Sequence, residues 1–346
     1  MAEPAALLRR ILAGEEVPRA DMESFIGDLM DGKVGEAVQA GVLVALAMRG
    51  EAVGEVAGAA AAMRSRALAV PHHRTDVVDT CGTGGDGKGT FNISTAAALI
   101  AAGAGVPIAK HGNRAISSRS GSADVLGALG VAVDLAPEAA ARCLDDLGIA
   151  FLFAPRMHPA MRAVMTVRQA LGVRTLFNVL GPLTNPAGAR RQVLGVFAPT
   201  LVERLARVLG ELDSEHVLVV HADDGLDELS TSGPNWVAEL RDGEVHTWTL
   251  DARDLGFPRV PVAALAGGVP EENAAAMERL LDGEPGPLAD VTLLNAGAAV
   301  YVGGRAVTLE EGIEQARQAL ASGAARRTLE ALRRFGAESP GSEGAA

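Results

Sequence analysis

Hydrophobic side chains in the first seventy residues recur at the three- and four-residue spacing of amphipathic helices. This spacing predicts four helices, which Gly14, Gly32 and Gly50 help to separate. Asp21 is the expected N-cap of the second helix, since its carboxylate can accept hydrogen bonds from free N–H groups of the first turn. The predicted helices cover residues 5–12, 22–30, 34–48 and 53–68.

From Pro71 onward, short apolar runs of strand length alternate with helical ones. Strands are predicted at 76–79, 106–109, 131–135, 149–154, 192–198 and 216–221, and helices at 92–103, 137–147 and 201–212. The pair Asp242-Gly243 predicts a hairpin of 236–240 with 244–250. This alternation indicates an α/β domain with a central, largely parallel sheet.

The pattern therefore divides the chain into two domains and a tail. We expect an all-helical domain over residues 1–70 and an α/β domain over 71–337, whose last part, 309–335, is strongly helical. Helical residues 159–171 and the Gly/Pro/Asn-rich stretch 174–186 either return to the helical domain or form a hinge. Residues 338–346 are rich in small and polar residues and are expected to be disordered.

Composition narrows the class of protein. The 346-residue chain is 48% hydrophobic but only 3% aromatic, and its formal net charge of −12 argues against a general nucleic-acid or anionic-membrane surface. Cys81 and Cys143 have neither a disulfide-framework nor a metal-ligand spacing. The sequence shows neither a signal peptide nor an apolar stretch long enough to span a bilayer comfortably, so we expect a cytoplasmic protein without a membrane partner.

A glycine-rich segment, residues 79–90, connects the first predicted strand to the next helix. Glycines let the backbone approach an anion, and the free N–H groups of the helix start face it, so this segment predicts a phosphate site. It fits neither of two familiar nucleotide motifs. The next strand ends in the basic pair Lys110-His111 instead of an acidic residue, and Gly89 stands where a Walker A loop has Ser or Thr.

A second polar segment, residues 110–122, follows the next predicted strand and contains Lys110, Arg114 and Arg119. Because ligands of parallel sheets bind at the carboxyl ends of the strands, we expect this segment beside the glycine-rich one. Its cations and small donors suit a ligand with several phosphate groups, such as a pyrophosphate. Taken alone, it could equally be a solvated basic loop, but its expected position beside the glycine-rich segment favours a ligand site.

Four carboxylates follow the predicted strand 216–221. Oxygen ligands suit Mg²⁺, which commonly joins one or two carboxylates to substrate phosphates. For Asp223 and Asp224 an ordinary exposed turn is the favoured interpretation. For Asp227 and Glu228 metal binding is favoured, mainly because of the resemblance described next.

Five motifs occur in the order found in anthranilate phosphoribosyltransferases, which this chain resembles over nearly its whole length. They are GTGGD at 82–86, FNIST at 91–95, KHGNR at 110–114, RTLFNVLGPLTNP at 174–186 and DELS at 227–230. The resemblance implies a small N-terminal helical domain hinged to a large α/β domain, and homodimers formed through the helical domain. It also implies transfer of the phosphoribosyl group of 5-phosphoribosyl 1-pyrophosphate to anthranilate, the second step of tryptophan biosynthesis from chorismate, with two Mg²⁺ per monomer.

The resemblance also implies residue roles. Because an aromatic amine is already neutral near pH 7, we expect catalysis by positioning and electrostatic stabilisation, with no side chain acting as a general base or nucleophile. Phosphoribosyl pyrophosphate would be bound by Gly82, Gly85, Asp86, Thr90, Asn92, Ile93, Ser94, Thr95, Lys110, His111, Gly112, Asn113, Arg114, Ala115, Ile116, Ser117, Ser118 and Ser122. Anthranilate would be bound by Gly82, His111, Asn113, Arg168 and Pro182. The implied metal ligands are Ser94, Asp227 and Glu228. Arg168 suits this role chemically, because guanidinium groups pair with carboxylates through two hydrogen bonds.

Two alternatives remain open at this point. A pyrimidine nucleoside phosphorylase, of related fold, would need a phosphate site but neither the metal-holding Asp227-Glu228 pair nor an anthranilate pocket. A non-catalytic nucleotide- or nucleic-acid-binding protein is the other alternative, and the net charge of −12 weighs against nucleic acid.

Overall fold

The computed structural model describes residues 4–115 and 119–338. Three predicted site residues, Ile116, Ser117 and Ser118, lie outside the described residues, as does nearly all of the predicted tail.

The N-terminal part consists of four helices, as the hydrophobic spacing predicts: α1 (Pro4–Leu12), α2 (Arg19–Met30), α3 (Glu36–Arg49) and α4 (Val53–Arg64). The prediction of Asp21 as an N-cap is wrong, because α2 starts at Arg19 directly after Pro18. Asp21 lies in the first turn, where its carboxylate accepts a hydrogen bond from Arg10 at 3.1 Å. Pro18, whose backbone φ is fixed by its ring, precedes the first residue of α2, and the helix begins without a side-chain cap.

A seven-stranded sheet forms the centre of the molecule. Its strands are β1 (Val78–Gly82), β2 (Ile108–Gly112), β3 (Ile149–Phe153), β4 (Arg191–Gly195), β5 (His216–Ala222), β6 (Pro234–Arg241) and β7 (Glu244–Asp251). Their spatial order is β3-β2-β1-β4-β5-β6-β7, with the first five parallel and the hairpin β6–β7 antiparallel. The strand order reverses between β1 and β4, and such a reversal opens a crevice at the carboxyl ends of the strands.

Helices cover both faces of this sheet. The remaining helices are α5 (Ile93–Gly103), α6 (Ser122–Ala128), α7 (Pro137–Leu147), α8 (Ala154–Met157), α9 (Arg162–Leu171), α10 (Phe177–Leu180), α11 (Val202–Glu211), α12 (Pro270–Leu281), α13 (Pro287–Val302), α14 (Leu309–Ala321) and α15 (Ala324–Glu338). A short 3₁₀ turn, Gly181–Leu183, follows α10.

Two hydrophobic clusters lie on opposite faces of the sheet. Val78, Val193 and Val220 point into the cluster that contains α5 and α13. Leu194 and Val219, one residue out of phase, point into the cluster that contains the helical bundle, α10 and α11. This alternation follows from the two-residue period of a strand. One apolar core is therefore shared by the helical bundle and one face of the sheet.

Some predicted elements differ from the structure in extent or type, and α4, for example, ends at Arg64, before the predicted end at residue 68. Residues 131–135 form no strand: Val131 and Leu135 are buried, but the Val131 N–H bonds the Leu126 carbonyl, within α6, instead of a neighbouring strand. Strand β4 ends at Gly195, before the predicted end at residue 198. The region 309–335 is helical as predicted and consists of two helices, separated at Gly323, which has a φ of +71°. Every helix within the described ranges is too short or too polar to cross a bilayer.

Candidate active site

Two glycines at the carboxyl ends of β1 and β4 allow a carboxylate segment to approach the sheet edge. A Cβ at Gly82 would lie 2.6 Å from the Asp227 Oδ2 atom, and one at Gly195 would lie 1.5 Å from the Asp227 carbonyl oxygen. Side chains longer than hydrogen would therefore displace Asp227. The loop after β5 thus lies directly against the strand reversal, beside the glycine-rich loop after β1.

Asp227 binds the glycine-rich loop through its side chain. Its Oδ2 atom accepts a hydrogen bond of 2.7 Å from the Gly84 N–H. Burial, reinforced by the negative charge of Asp86, raises the pKa of Asp227 to about 7. Desolvation and a nearby like charge both disfavour the ionised form of Asp227, so a bound cation would stabilise that form.

Glu228 lies at the N-terminus of α5. Its Oε1 atom accepts a hydrogen bond of 3.1 Å from the Ser94 N–H, in the first turn of that helix. Burial, followed by the charge of Asp227, raises the pKa of Glu228 to about 8. The adjacent carboxylates and the helix start therefore face the same small volume.

The described residues contain no preassembled group of three or more His, Cys, Asp and Glu side chains at metal-binding distances. The donors that are present nevertheless suit Mg²⁺. Asp227 and Glu228 supply hard oxygen ligands, and their raised pKa values mean that a cation would stabilise their ionised forms. Mg²⁺ usually completes its coordination shell with water and substrate phosphate.

Lys110, at the centre of β2, brings a buried ammonium group to these carboxylates. Its Nζ atom donates to the Thr80 carbonyl and, at 3.3 Å, to the Ser94 hydroxyl. Burial lowers the pKa of Lys110, while the charges of Asp79 and Glu228 oppose this shift. Lys110 thus links β1, β2 and the start of α5 within one polar layer.

The basic loop is folded back on itself by Asp124 in α6. Its Oδ2 atom accepts hydrogen bonds from the N–H groups of Ala115 at 2.8 Å and Gly121 at 2.9 Å, and its Oδ1 atom accepts one from Arg114 at 3.2 Å. The Ser122 hydroxyl donates to the Asn113 carbonyl at 3.3 Å. The two ends of the loop therefore meet next to the end of β2.

The end of the glycine-rich loop is held by a segment that precedes α12. Thr90 forms an isolated antiparallel bridge with Ala266. Asn92, the residue before α5, accepts a hydrogen bond of 2.9 Å from the Asn273 amide and donates one of 3.1 Å to the Ser120 carbonyl. Asn92 consequently joins the glycine-rich loop, the basic loop and α12.

A more apolar wall continues from these loops toward α9. The Arg168 guanidinium lies 5.4 Å from the centre of the Phe177 ring, and among the described residues no carboxylate forms an ion pair with it. Burial lowers the pKa of Arg168. The His111 Nδ1–H group donates to the Gly181 carbonyl at 3.2 Å, next to Pro182. Burial lowers the pKa of His111 to about 3, so its ring is neutral.

Comparison with known proteins identifies the family. The chain matches the model of the glycosyl transferase family helical bundle domain over residues 5–67 and that of the a/b domain of the same family over residues 74–326. It is 53% identical over 330 residues to an anthranilate phosphoribosyltransferase from Symbiobacterium thermophilum, covering 95% of this chain and 97% of that protein. The chain belongs to the anthranilate phosphoribosyltransferase family.

Solved structures of anthranilate phosphoribosyltransferases have the same fold. The enzyme from Thermus thermophilus superposes with a TM-score of 0.91 at 48% identity, covering 95% of this chain and 98% of that one. The enzyme from Saccharomyces cerevisiae, in a complex with phosphoribosyl pyrophosphate and Mg, superposes with a TM-score of 0.89 at 27% identity, covering 97% and 98%. The predicted family and fold class are thereby confirmed.

Several residues of the candidate site were not singled out by the sequence. Arg174 lies in the stretch interpreted as a hinge, yet it donates to the Gly85 carbonyl and stacks on Phe197, 4.0 Å from the ring centre. Its place inside the RTLFNV motif was the available signal. Gly195 and Asn273 gave no signal, since only the folded chain shows which backbone they approach.

Two buried asparagines hold the backbone just after the carboxylate pair. The Asn295 side chain accepts from the Leu229 N–H at 3.1 Å and donates to its carbonyl at 2.8 Å. The Asn235 side chain does the same for Ser230, at 2.7 and 3.0 Å. Amides that satisfy both backbone groups of a residue fix its position, so Asp227 and Glu228 stand on a rigid segment. Asp224, by contrast, accepts from Leu226 and Ser230 within its own turn.

Proposed function

We propose that this chain transfers the phosphoribosyl group of phosphoribosyl pyrophosphate to the amine of anthranilate, giving N-(5-phosphoribosyl)anthranilate and pyrophosphate. The observation that carries the proposal is the contact of Asp227 and Glu228 with Gly84 and Ser94. This contact brings two carboxylates that can bind a metal ion next to the glycine-rich loop and the N-terminus of α5, both of which can bind phosphate. They meet at the reversal of strand order, where parallel α/β sheets bind their ligands.

The donor substrate would occupy the crevice between the two loops. We assign its phosphates to the glycine-rich loop from Gly82 to Thr90, to the start of α5 and to the basic loop that begins at Lys110. Glycines with positive φ, among them Gly85 and Gly87, leave backbone N–H groups accessible there. Arg174, already bonded to Gly85, would reinforce the glycine-rich loop from outside.

The yeast relative has been solved with phosphoribosyl pyrophosphate and Mg, and we propose that this chain also uses Mg²⁺, with two ions per monomer. The residues that would hold Mg²⁺ are Asp227, Glu228 and, through its hydroxyl group, Ser94. When bound, Mg²⁺ neutralises negative charge on the pyrophosphate group. Lys110, within reach of Ser94, adds a fixed positive charge at the same place.

The acceptor would lie against the wall formed by Arg168, Phe177 and Pro182. Arg168 has a guanidinium group available for the anthranilate carboxylate, which would direct the amine toward the ribose. In the transfer, the bond from the anomeric carbon to pyrophosphate oxygen breaks, the carbon–nitrogen bond forms, and the amine loses a proton. An aromatic amine is already neutral near pH 7, so positioning and charge stabilisation suffice without a strong base.

We also propose that two copies associate through the helical bundle. Met48 and Leu12, both on this bundle, are large apolar side chains that are 84% and 70% exposed. Single exposed apolar side chains also occur on monomeric proteins, so the proposal rests on the family resemblance, and these two residues are where it can be tested.

The test follows the fluorescence of anthranilate in a mixture with phosphoribosyl pyrophosphate and Mg²⁺, repeated with EDTA. We expect the fluorescence to fall only when all three components are present, and the loss to be strongly slowed by Asp227→Asn with Glu228→Gln. A folded protein that consumes no anthranilate would contradict the proposal. Phosphorolysis of thymidine or uridine by that protein would support the nucleoside phosphorylase alternative instead.

A further inference from the structure

The 3₁₀ turn Gly181–Leu183 is held by three side chains from three different elements. Its successive carbonyls accept hydrogen bonds from the His111 ring at 3.2 Å, the Gln192 amide at 2.7 Å and the Arg64 guanidinium at 2.7 Å. His111 belongs to β2 and Gln192 to β4, whereas Arg64 is the last residue of α4 in the helical bundle. Each carbonyl of the turn is therefore fixed by a separate part of the molecule.

Arg64 differs from the other two because it carries a charge and reaches a second helix end. Its Nη1 atom donates to the Leu212 carbonyl at 3.1 Å, directly after α11. Among the described residues no carboxylate forms an ion pair with Arg64, so its positive charge is matched by helix-terminal carbonyls and by the more distant charge of Asp213. Cations are stabilised at such carboxyl ends, and planar guanidinium can donate to two carbonyls at once.

We infer that Arg64 is a positioning residue for the acceptor substrate, which holds the Gly181–Leu183 turn, and with it Pro182, in register with Arg168 and His111. This inference rests on the proposed function. Because Arg64 is part of α4, a displacement of the helical bundle would be transmitted to the turn through the hydrogen bond from its guanidinium to Leu183. In the described part of the chain Arg64 bonds the turn and the end of α11 but neither donor loop, so its influence is confined to the anthranilate side.

The structure provides a matched control for this role. Arg19, at the start of α2, also projects from the helical bundle and donates to the carboxyl end of α11, at the Glu211 carbonyl and 2.9 Å. Its described hydrogen bond goes to α11 and leaves the Gly181–Leu183 turn untouched. A comparison of Arg64→Met with Arg19→Met therefore separates the capping of α11 from the positioning of the acceptor wall.

The experiment measures the KM for anthranilate, the KM for phosphoribosyl pyrophosphate, kcat and Tm for the unaltered chain and three variants. For Arg64→Met we expect the KM for anthranilate to rise about tenfold, a change equal to roughly 1.4 kcal/mol, with the other two kinetic parameters within about twofold. Arg64→Lys keeps the charge and one donor, so it should retain its fold and show a smaller rise in the same parameter. Arg19→Met should lower the Tm and leave all three kinetic parameters unchanged.

Unchanged anthranilate KM in both Arg64 variants would overturn the inference, as would equal rises for the two substrates or the same rise in Arg19→Met. If Arg64→Met does not fold, Arg64→Lys alone decides by the same criterion. If the parent chain folds but shows no anthranilate-dependent turnover, the proposed function and this inference are both overturned. If the parent is active and the Arg64 variants have the same kinetic parameters as the parent, the inference alone is overturned.

Discussion

Glu228 is a single side chain whose environment makes stability depend on pH. Its pKa rises from an ordinary value of 4.5 to about 8 through burial and the charge of Asp227. The unfolded chain releases this proton near the ordinary value, while the folded chain keeps it until about pH 8, so the folded state binds more protons between the two. Stability contributed by the protonated group is complete below the lower value and is lost as the pH rises through the higher one.

Glu228→Gln should therefore stabilise the metal-free protein, and more so at higher pH. We expect the Tm difference between variant and parent in EDTA to be small at about pH 5 and to grow toward about pH 8. Thermal unfolding followed by circular dichroism measures it. Glu203→Gln, at an exposed position on α11, is the control and should show no such trend. A difference independent of pH would contradict the described environment of Glu228.

Arg168 gives a second prediction for one residue. Arg168→Ala should raise the KM for anthranilate about tenfold to a hundredfold, the expected cost of losing charge-assisted hydrogen bonds to a carboxylate. The KM for phosphoribosyl pyrophosphate should stay unchanged in steady-state assays. Arg162→Ala, at the exposed start of the same helix, controls for changes in α9. Equal effects of the two variants would refute the role of Arg168.

What sequence reveals about single residues depends on where their partners lie. Asp227, Glu228 and the glycine-rich loop stand in local motifs, and their proximity follows from the rule for strand ends. Arg64, Asn295 and Gly195 act on segments far away along the chain, and no local pattern marks them. The substrate-binding roles given to the basic loop and to Pro182 stay predictions.

At the scale of elements, the end of β4 can be tested with one methyl group. Gly195→Ala would set a Cβ 1.5 Å from the Asp227 carbonyl, so either β4 or the carboxylate segment must move. We expect a loss of about 1–3 kcal/mol in the free energy of unfolding, as for other overpacked sites, together with a higher Mg²⁺ requirement. Denaturant titration and Mg²⁺-dependent rates measure the two effects.

Gly127→Ala is the matched control, since a Cβ there meets nothing within 4 Å and the residue lies in α6. This variant should be neutral or up to about 1 kcal/mol more stable, because alanine favours helix. If Gly195→Ala behaved like Gly127→Ala, the close approach of Asp227 to β4 would be disproved.

Elements with a clear period were predicted well, and those without one were not. The four N-terminal helices, β5 and the β6–β7 hairpin follow their hydrophobic spacing. The apolar residues of 131–135 resemble a strand because they are buried, although they pair with no strand in the described part of the chain. Helix α13 is buried on nearly every side, so it lacks the polar face by which a helix is recognised.

At the scale of the whole molecule, the proposed assembly can be tested on the helical bundle. Leu12→Glu with Met48→Glu should convert a dimer into a monomer, since two charges would enter an apolar contact. Sedimentation velocity distinguishes the two states. Val307→Glu, at a 73% exposed position of the α/β domain, should leave the assembly intact. A dimer that survives the double change would place the interface elsewhere.

The chain passes between the helical bundle and the α/β domain around Pro71 and again near the end of the stretch 174–186, and these two segments are joined to each other in this structure. The Val70 N–H donates to the Pro186 carbonyl at 3.1 Å, and the His72 ring bonds the Ala187 carbonyl at 2.8 Å. Both crossings between bundle and sheet thus lie side by side, which is the arrangement that lets two bodies rotate about one axis. Closure over substrates, and the domain boundary at residue 70, stay predictions that a structure with both substrates would test.

The neighbouring positions of β1 and β4 also bear on how the chain folds. Val78 of β1 pairs with Arg191 of β4, and β4 is synthesised only after β2, β3 and α9. Strand β1 therefore cannot form this pairing until late in synthesis. Closing so long a loop is entropically costly, and parallel pairing of distant strands is slow. A nascent chain that ends before β4 exposes the edge of β1 and has no part of the carboxylate segment. Ligand affinity should therefore emerge in one late step during synthesis, and a ribosome-bound series of lengths would locate it after β5 leaves the exit tunnel.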